Sequence, residues 1–104
     1  MKYSKIEQAL ETVLPGAVYK VQAPEHAPDG SPLTRYLVWT PTGVRSFATV
    51  GLCVVTVATQ TEGDTLTAEV LQALAAAHIA IGQSEQSFDE ETMTYYSDIP
   101  CEVI

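Results

Sequence analysis

Residues 50–58 read Val-Gly-Leu-Cys-Val-Val-Thr-Val-Ala, and no other stretch restricts the fold as strongly. β-branched residues dominate it, which favours a strand. Apolar side chains fall at both odd and even positions, so both faces need cover, and that predicts a central place in a sheet. The strand is expected to run over residues 44–60, with Gly51 marking a bulge or bend. Residues 34–40 read as a second strand. Pro41-Thr42-Gly43 reads as the tight turn between them, giving a hairpin with a more polar outer end at Arg45, Ser46 and Thr49.

Two helices flank this hairpin. Ser4-Lys5-Ile6-Glu7 matches the S-x-x-E capping box, in which two side chains satisfy orphan backbone donors. Ile6, Ala9, Leu10, Val13 and Leu14 then recur at helical spacing until Pro15-Gly16 stops the pattern. A second helix is predicted over residues 66–77, capped by Asp64 or Thr65. Its apolar face carries Leu66, Val70, Leu71, Leu74 and Ala77 or His78, and His78 is expected to cap the C-terminal carbonyls. A short strand is predicted over residues 17–22. Residues 23–32 hold three prolines and an Asp-Gly, which excludes regular structure there. A strand starts at Ile79 and continues to Phe88. Asp89-Glu90-Glu91 turns the chain, and a last long strand starts at Thr92, with Pro100 as a kink or an edge marker.

The order is therefore α-β-β-β-α-β-β. The economical packing sets both helices on one face of a largely antiparallel sheet, an α+β domain over residues 1–104. The other face carries Tyr36 or Trp39 and part of the long strand. That surface is apolar enough to predict cover by another copy or a partner. One of Tyr95 and Tyr96 faces inward and the other outward, because strand side chains alternate.

Charge narrows the functional classes. The chain carries 5 Lys and Arg against 13 Asp and Glu, a net of −8, which argues against a nucleic-acid-binding footprint. All five cations lie in the first 45 residues, which carry +1, and residues 46–104 carry −9. Such polarity suits either neighbouring copies meeting basic face to acidic face or an acidic wall that repels a polyanion. Apolar stretches of about ten residues fall short of the roughly 20 that span a bilayer, and no signal-peptide pattern opens the chain. A cytoplasmic setting and no membrane association are expected.

Motifs for catalysis are sparse. His26 sits beside Glu25 and Asp29 in the proline-rich loop, but no nucleophile elbow or H-E-x-x-H accompanies it, so it reads as a solvated loop histidine. The glycines are scattered singly and form no phosphate-binding loop. Asp89-Glu90-Glu91 lacks the spacing of a calcium loop. Cys53 and Cys101 belong to no CxxC pair and read as reduced core residues, with a disulfide open only if their strands are neighbours. No enzyme activity, cofactor or metal is expected.

The run Arg35-Tyr36-Leu37-Val38-Trp39-Thr40-Pro41-Thr42-Gly43 resembles the Y-x-V-W-x-x-x-G strand and turn of small tail-completion proteins of long-tailed bacteriophages and prophages. Val18-Tyr19 ahead of a proline-rich loop, Val55-Thr56-Val57, the helix over residues 66–77, and Asp89-Glu90-Glu91-Thr92 before a closing strand fit the same layout. The resemblance implies a tail-terminator type of structural protein, without catalysis. It would form a hexameric ring at the tail end that joins tail tube to head connector, while DNA passes without specific binding. Its implied places are the virion and, during assembly, the host cytoplasm. Candidate contact residues, chosen by charge and expected exposure, are Lys20, Glu25, His26, Asp29, Arg35, Arg45, Asp89, Glu90 and Glu91. A small acidic binding module, such as a nucleic-acid mimic that inhibits a DNA-binding enzyme, is the alternative.

Overall fold

The apolar run does become the middle of a sheet. The computed structural model describes residues 3–45 and 50–103. Its elements are α1 (Ser4–Val13), β1 (Val18–Lys20), β2 (Tyr36–Arg45), β3 (Val50–Thr59), α2 (Leu66–Ala76), β4 (Ala80–Ile81), β5 (Glu85–Asp89) and β6 (Thr94–Val103). The sheet runs β1-β2-β3-β6, and β4 and β5 share the far side of β6. β1 lies parallel to β2, and every other pairing is antiparallel. The expected α+β order holds, with the strand predicted over residues 79–88 realised as two pieces.

Alternation sorts the strands into two faces. Leu37, Trp39, Cys53, Val55, Val57, Ile99, Cys101 and Val103 point to the side that α1 and α2 cover. There they meet Ile6, Leu10, Leu66, Val70 and Leu74, all fully buried. Burying an aliphatic side chain of this size is worth about 1.5–3 kcal/mol, so this one cluster dominates the fold's stability. Tyr3 ties α1 to the hairpin. Its ring stacks on Trp39 at 5.9 Å between centroids, and its hydroxyl donates toward the carbonyls of Gly43 (3.0 Å) and Leu52 (3.2 Å).

Both sheet prolines are accommodated by strand direction. Leu37 N–H donates to Ala17 and Trp39 C=O accepts from Val21, so odd residues of β2 bond toward β1. Pro41 therefore turns its missing donor to the free edge beyond β1 and breaks no ladder bond. The predicted turn at Pro41-Thr42-Gly43 is accordingly a bulge inside β2, where the register slips between Pro41 and Gly43. Gly51 sits regularly between Val44 and Val103 and marks no bulge. The predicted polar outer end involves Ser46 and Thr49, which lie outside the described residues.

Pro100 stays inside β6, opposite Val54, and faces the β4/β5 side. Its carbonyl accepts from Gly82 N–H at 2.8 Å, but it has no N–H to return. A continuous strand opposite it would lose a bond there, which accounts for the break between Ile81 and Glu85. A Cβ on Gly82 would stand 2.9 Å from the Pro100 ring, so glycine is required for this approach.

The helix ends depart from the sequence reading. The capping box is not formed, because Tyr3 is the cap of α1 and Ser4 already lies in the helix. Gly16, at φ +81°, ends the turn and donates to the Glu11 carboxylate at 3.1 Å. At α2, Thr65 holds the cap position without a side-chain capping bond, its hydroxyl donating to Glu69 at 3.3 Å, and Asp64 accepts from Leu66 N–H at 2.9 Å. His78 caps the far end through its backbone. It sits at φ +59°, with its N–H on Ala75 C=O (3.0 Å) and Ile79 N–H on Leu74 C=O (3.0 Å), a Schellman closure usually given to glycine.

Candidate assembly surfaces

Among the described residues, no helix lies on the second face of the sheet. Register places Tyr19, Val38, Thr56, Asp98 and Glu85 in one row across it, and Tyr36, Ala58, Tyr96 and Ser87 in the next. Tyr36 is thus the aromatic that faces out, and Trp39 faces the core. Tyr96 is the outward member of its pair, and Tyr95 lies on the helix side against Phe88, 4.5 Å between centroids. Tyr36 and Tyr96 flank Ala58, which is fully buried, and their hydroxyls interact. Burial first, then the interaction with Tyr96, raises the Tyr36 phenol to about 12. Asp98 accepts from the Thr56 hydroxyl at 2.7 Å. The Tyr19 hydroxyl is buried and has no hydrogen-bond partner among the described residues. The face therefore combines half-buried apolar, hydroxyl and carboxylate groups, with Val54 and Pro100 beyond them.

The predicted contact residues divide between the two edges of this sheet. Lys20, Glu25, His26, Asp29 and Arg35 all belong to or border the connection between β1 and β2. Lys20 is exposed, with its ammonium 5.3 Å from the centre of the Trp39 ring. Val21 follows at φ +69°, with Gln22 N–H on Lys20 C=O at 2.7 Å, a γ-turn that is strained for a β-branched residue. Glu25 and His26 are exposed, and His26 pairs with Pro32 in an isolated bridge. Asp29 is held by the Ser31 hydroxyl (2.6 Å) and N–H (3.0 Å), which lower its pKa.

Arg35 is engaged within the chain. Its guanidinium donates to both carboxylate oxygens of Asp64 at 3.1 Å and reaches Glu69 at 3.5 Å. Asp64 thereby closes the long loop and caps α2 at once. The hydrogen bond from Arg35 holds its carboxyl below the usual range against a smaller opposing effect of burial. Arg45 ends β2 opposite Val50, and its side chain lies outside what the structure describes.

Asp89, Glu90 and Glu91 form the β5–β6 turn at the opposite edge, where Asp89 accepts from Glu91 N–H at 3.0 Å. Four inter-strand spacings separate β5 from β1, on the order of 19 Å. Lys20 and the acidic turn thus lie at opposite edges of the sheet. Exposed Phe88 and Met93 add apolar surface to the acidic hairpin. The bonding alternation of β5 also leaves the N–H and C=O of Gln86 and Phe88 on its free edge. Sequence reasoning missed this edge, because the strand break at Pro100 that defines it is a pairing event.

Shallow cavities adjoin these surfaces, one of about 320 Å³ on the helix-free face at Val54, Gln83, Glu85, Asp98 and Pro100, and two others. One, about 390 Å³, is lined by Thr42, Leu52, Val54, Pro100 and Glu102. The other, about 360 Å³, lies between the start of α2 and the β5–β6 hairpin, with Glu62, Asp64, Thr67, Gln86 and Tyr95 on its walls. Neither holds a histidine to activate a nucleophile. No cluster of three or more potential metal ligands occurs among the described residues, and none of their helices is long and apolar enough to cross a membrane.

No family profile and no curated protein matches the chain. Among solved structures it is similar in fold to a chain in the virion of a native gene transfer agent particle. The TM-score is 0.56 at 16% identity, over 94% of this chain and 89% of that one.

Proposed function

We propose that the chain is a structural subunit of a phage-type virion, of the tail-completion or tail-terminator kind. In this reading it forms a ring at the tail end, joining tail tube to head connector. The carrying observation is the likeness in fold, over 94% of the chain, to a chain in a gene transfer agent virion. The sheet supports it independently. A ring needs two different surfaces on each subunit, so that contacts run head to tail and close. The two edges carry different groups, Lys20 with Glu25 and Asp29 at one and the uniformly acidic Asp89-Glu90-Glu91 hairpin at the other. The helix-free face, with the Tyr19 hydroxyl buried and unbonded among the described residues, supplies a surface for a neighbouring copy or a tail protein. An excess of acids suits a wall that DNA passes without binding. The reading assigns no catalysis.

Light scattering across concentration and salt tests it. A discrete ring that loosens as salt rises is the expected result. A salt-insensitive monomer that also fails to bind tail-tube or connector proteins would remove the reading. Val54→Lys, on the helix-free face, should keep the fold and weaken assembly.

A further inference from the structure

Cys53 and Cys101 stand directly opposite each other across β3 and β6. Both face the helix side and belong to the same core cluster, at 2% and 3% exposure, and both are free thiols. Opposed residues of an antiparallel pair have Cα atoms about 4.5 or 5.5 Å apart. A disulfide bridges Cα separations of about 4.4–6.8 Å. The bonding alternation makes this a hydrogen-bonded pair, with Cα atoms about 5.5 Å apart and inside that window. Its Cβ atoms, about 5.5 Å apart, must approach to about 4.5 Å or less, so closure asks for side-chain rotation and a small local shift of the two strands. Val55 and Ile99, the next pair on the same face, are fully buried and hold the register.

We propose that Cys53 and Cys101 are a modification site, a cross-strand dithiol that closes to an intrachain disulfide when the chain meets a small-molecule disulfide. In the first step the Cys53 thiolate attacks one sulfur of the oxidant. The oxidant's S–S bond breaks, a mixed disulfide forms, and one thiolate leaves and takes up a proton. In the second, the Cys101 thiolate attacks the Cys53 sulfur of the mixed disulfide. The second small thiolate departs and takes up the other proton. Two electrons pass from the cysteines to the oxidant, which ends as two thiols.

Burial pushes Cys53 up to about 11, and burial together with the neighbouring Cys53 pushes Cys101 up to about 12. At neutral pH both are therefore thiols, and closure is slow. The pair stays open in a reducing cytoplasm. The site stands on the register alone. Its use, to staple the sheet after a particle leaves the cell, rests on the virion reading.

The test incubates the folded protein with 2-hydroxyethyl disulfide at pH 7 and pH 9. Intact mass, free thiols counted after denaturation, and urea unfolding follow the reaction. The expected product is a chain not crosslinked to another and lighter by two hydrogens, with no free thiol and a higher urea midpoint, formed faster at pH 9. Cys101→Ala should give only the Cys53 adduct or remain unreacted. Two free thiols after exhaustive treatment, or only adducts or chain-to-chain dimers from wild type, would overturn the proposal. Light scattering on the reduced protein reads the ring separately, so a missing disulfide in an intact ring refutes this site alone.

Discussion

The two faces of the sheet share strands but not surroundings. On β3, Cys53, Val55 and Val57 lie under the helices, and Val54, Thr56 and Ala58 lie on the face that no helix covers. The first set meets side chains from α1 and α2. The second is screened by its own tyrosines and by Asp98. Apolar character alone does not separate Val54 from Val55. What separates them is the direction of the strand and the side on which the helices pack. The exposed apolar patch expected there is instead a mixed surface: Val38 and Ala58 are buried, and Val54, Tyr36, Tyr96, Thr56 and Asp98 are half-buried.

The largest contrast should come from single truncations on each face. Ile99→Ala leaves a cavity beneath the helices and should cost about 2–5 kcal/mol in urea unfolding. Val54→Ala, one pair away on the other face, should cost about 1 kcal/mol or less. Equal losses would mean that both faces are core.

Asp64 gives the next effect. Asp64→Ala removes the cap of α2 and the partner of Arg35, and should cost about 1–2 kcal/mol. Asp64→Asn keeps an acceptor for Leu66 N–H and should cost less. The folded carboxyl is lowered, so its contribution is complete above the unfolded value of about 3.9 and is lost as pH falls through the folded one. Stability of wild type should therefore fall faster than that of Asp64→Asn in acid, below about pH 4.

Tyr36→Phe probes the helix-free face. Loss of the bond to Tyr96 should cost about 0.5–1.5 kcal/mol. The folded Tyr36 phenol ionises near 12, so wild type should lose stability as pH rises from about 10, the unfolded value, toward 12. An absorbance titration that finds every tyrosine ionising near 10 would break the coupling of Tyr36 to Tyr96. The smallest effect lies on the helix side. His78→Gly relieves a left-handed backbone and should stabilise by about 1 kcal/mol, with no effect on assembly.

Legibility followed range. The spacing of Ile6, Leu10, Leu66, Val70 and Leu74 places both helices, because a helix's apolar stripe is written within a few residues. The two-sided run at residues 50–58 places β3 centrally. The bulge at Pro41, the break opposite Pro100 and the shift of the α1 cap to Tyr3 were not legible. Each depends on what the neighbouring strand or helix offers to a backbone N–H or C=O. Among the candidate contact residues, exposure of Lys20, Glu25, His26 and the Glu90–Glu91 turn follows from composition. The pairing of Arg35 with Asp64 spans 29 positions and shows in no local pattern.

The sequence by itself determined the element order, the membership of the core and the division of charge along the chain. These rest on local periodicity and side-chain chemistry. Only the tertiary structure decided which face the helices cover, where the sheet edges lie, and that Cys53 meets Cys101. Those outcomes depend on strand register, and one residue of slip would send every side chain to the other face.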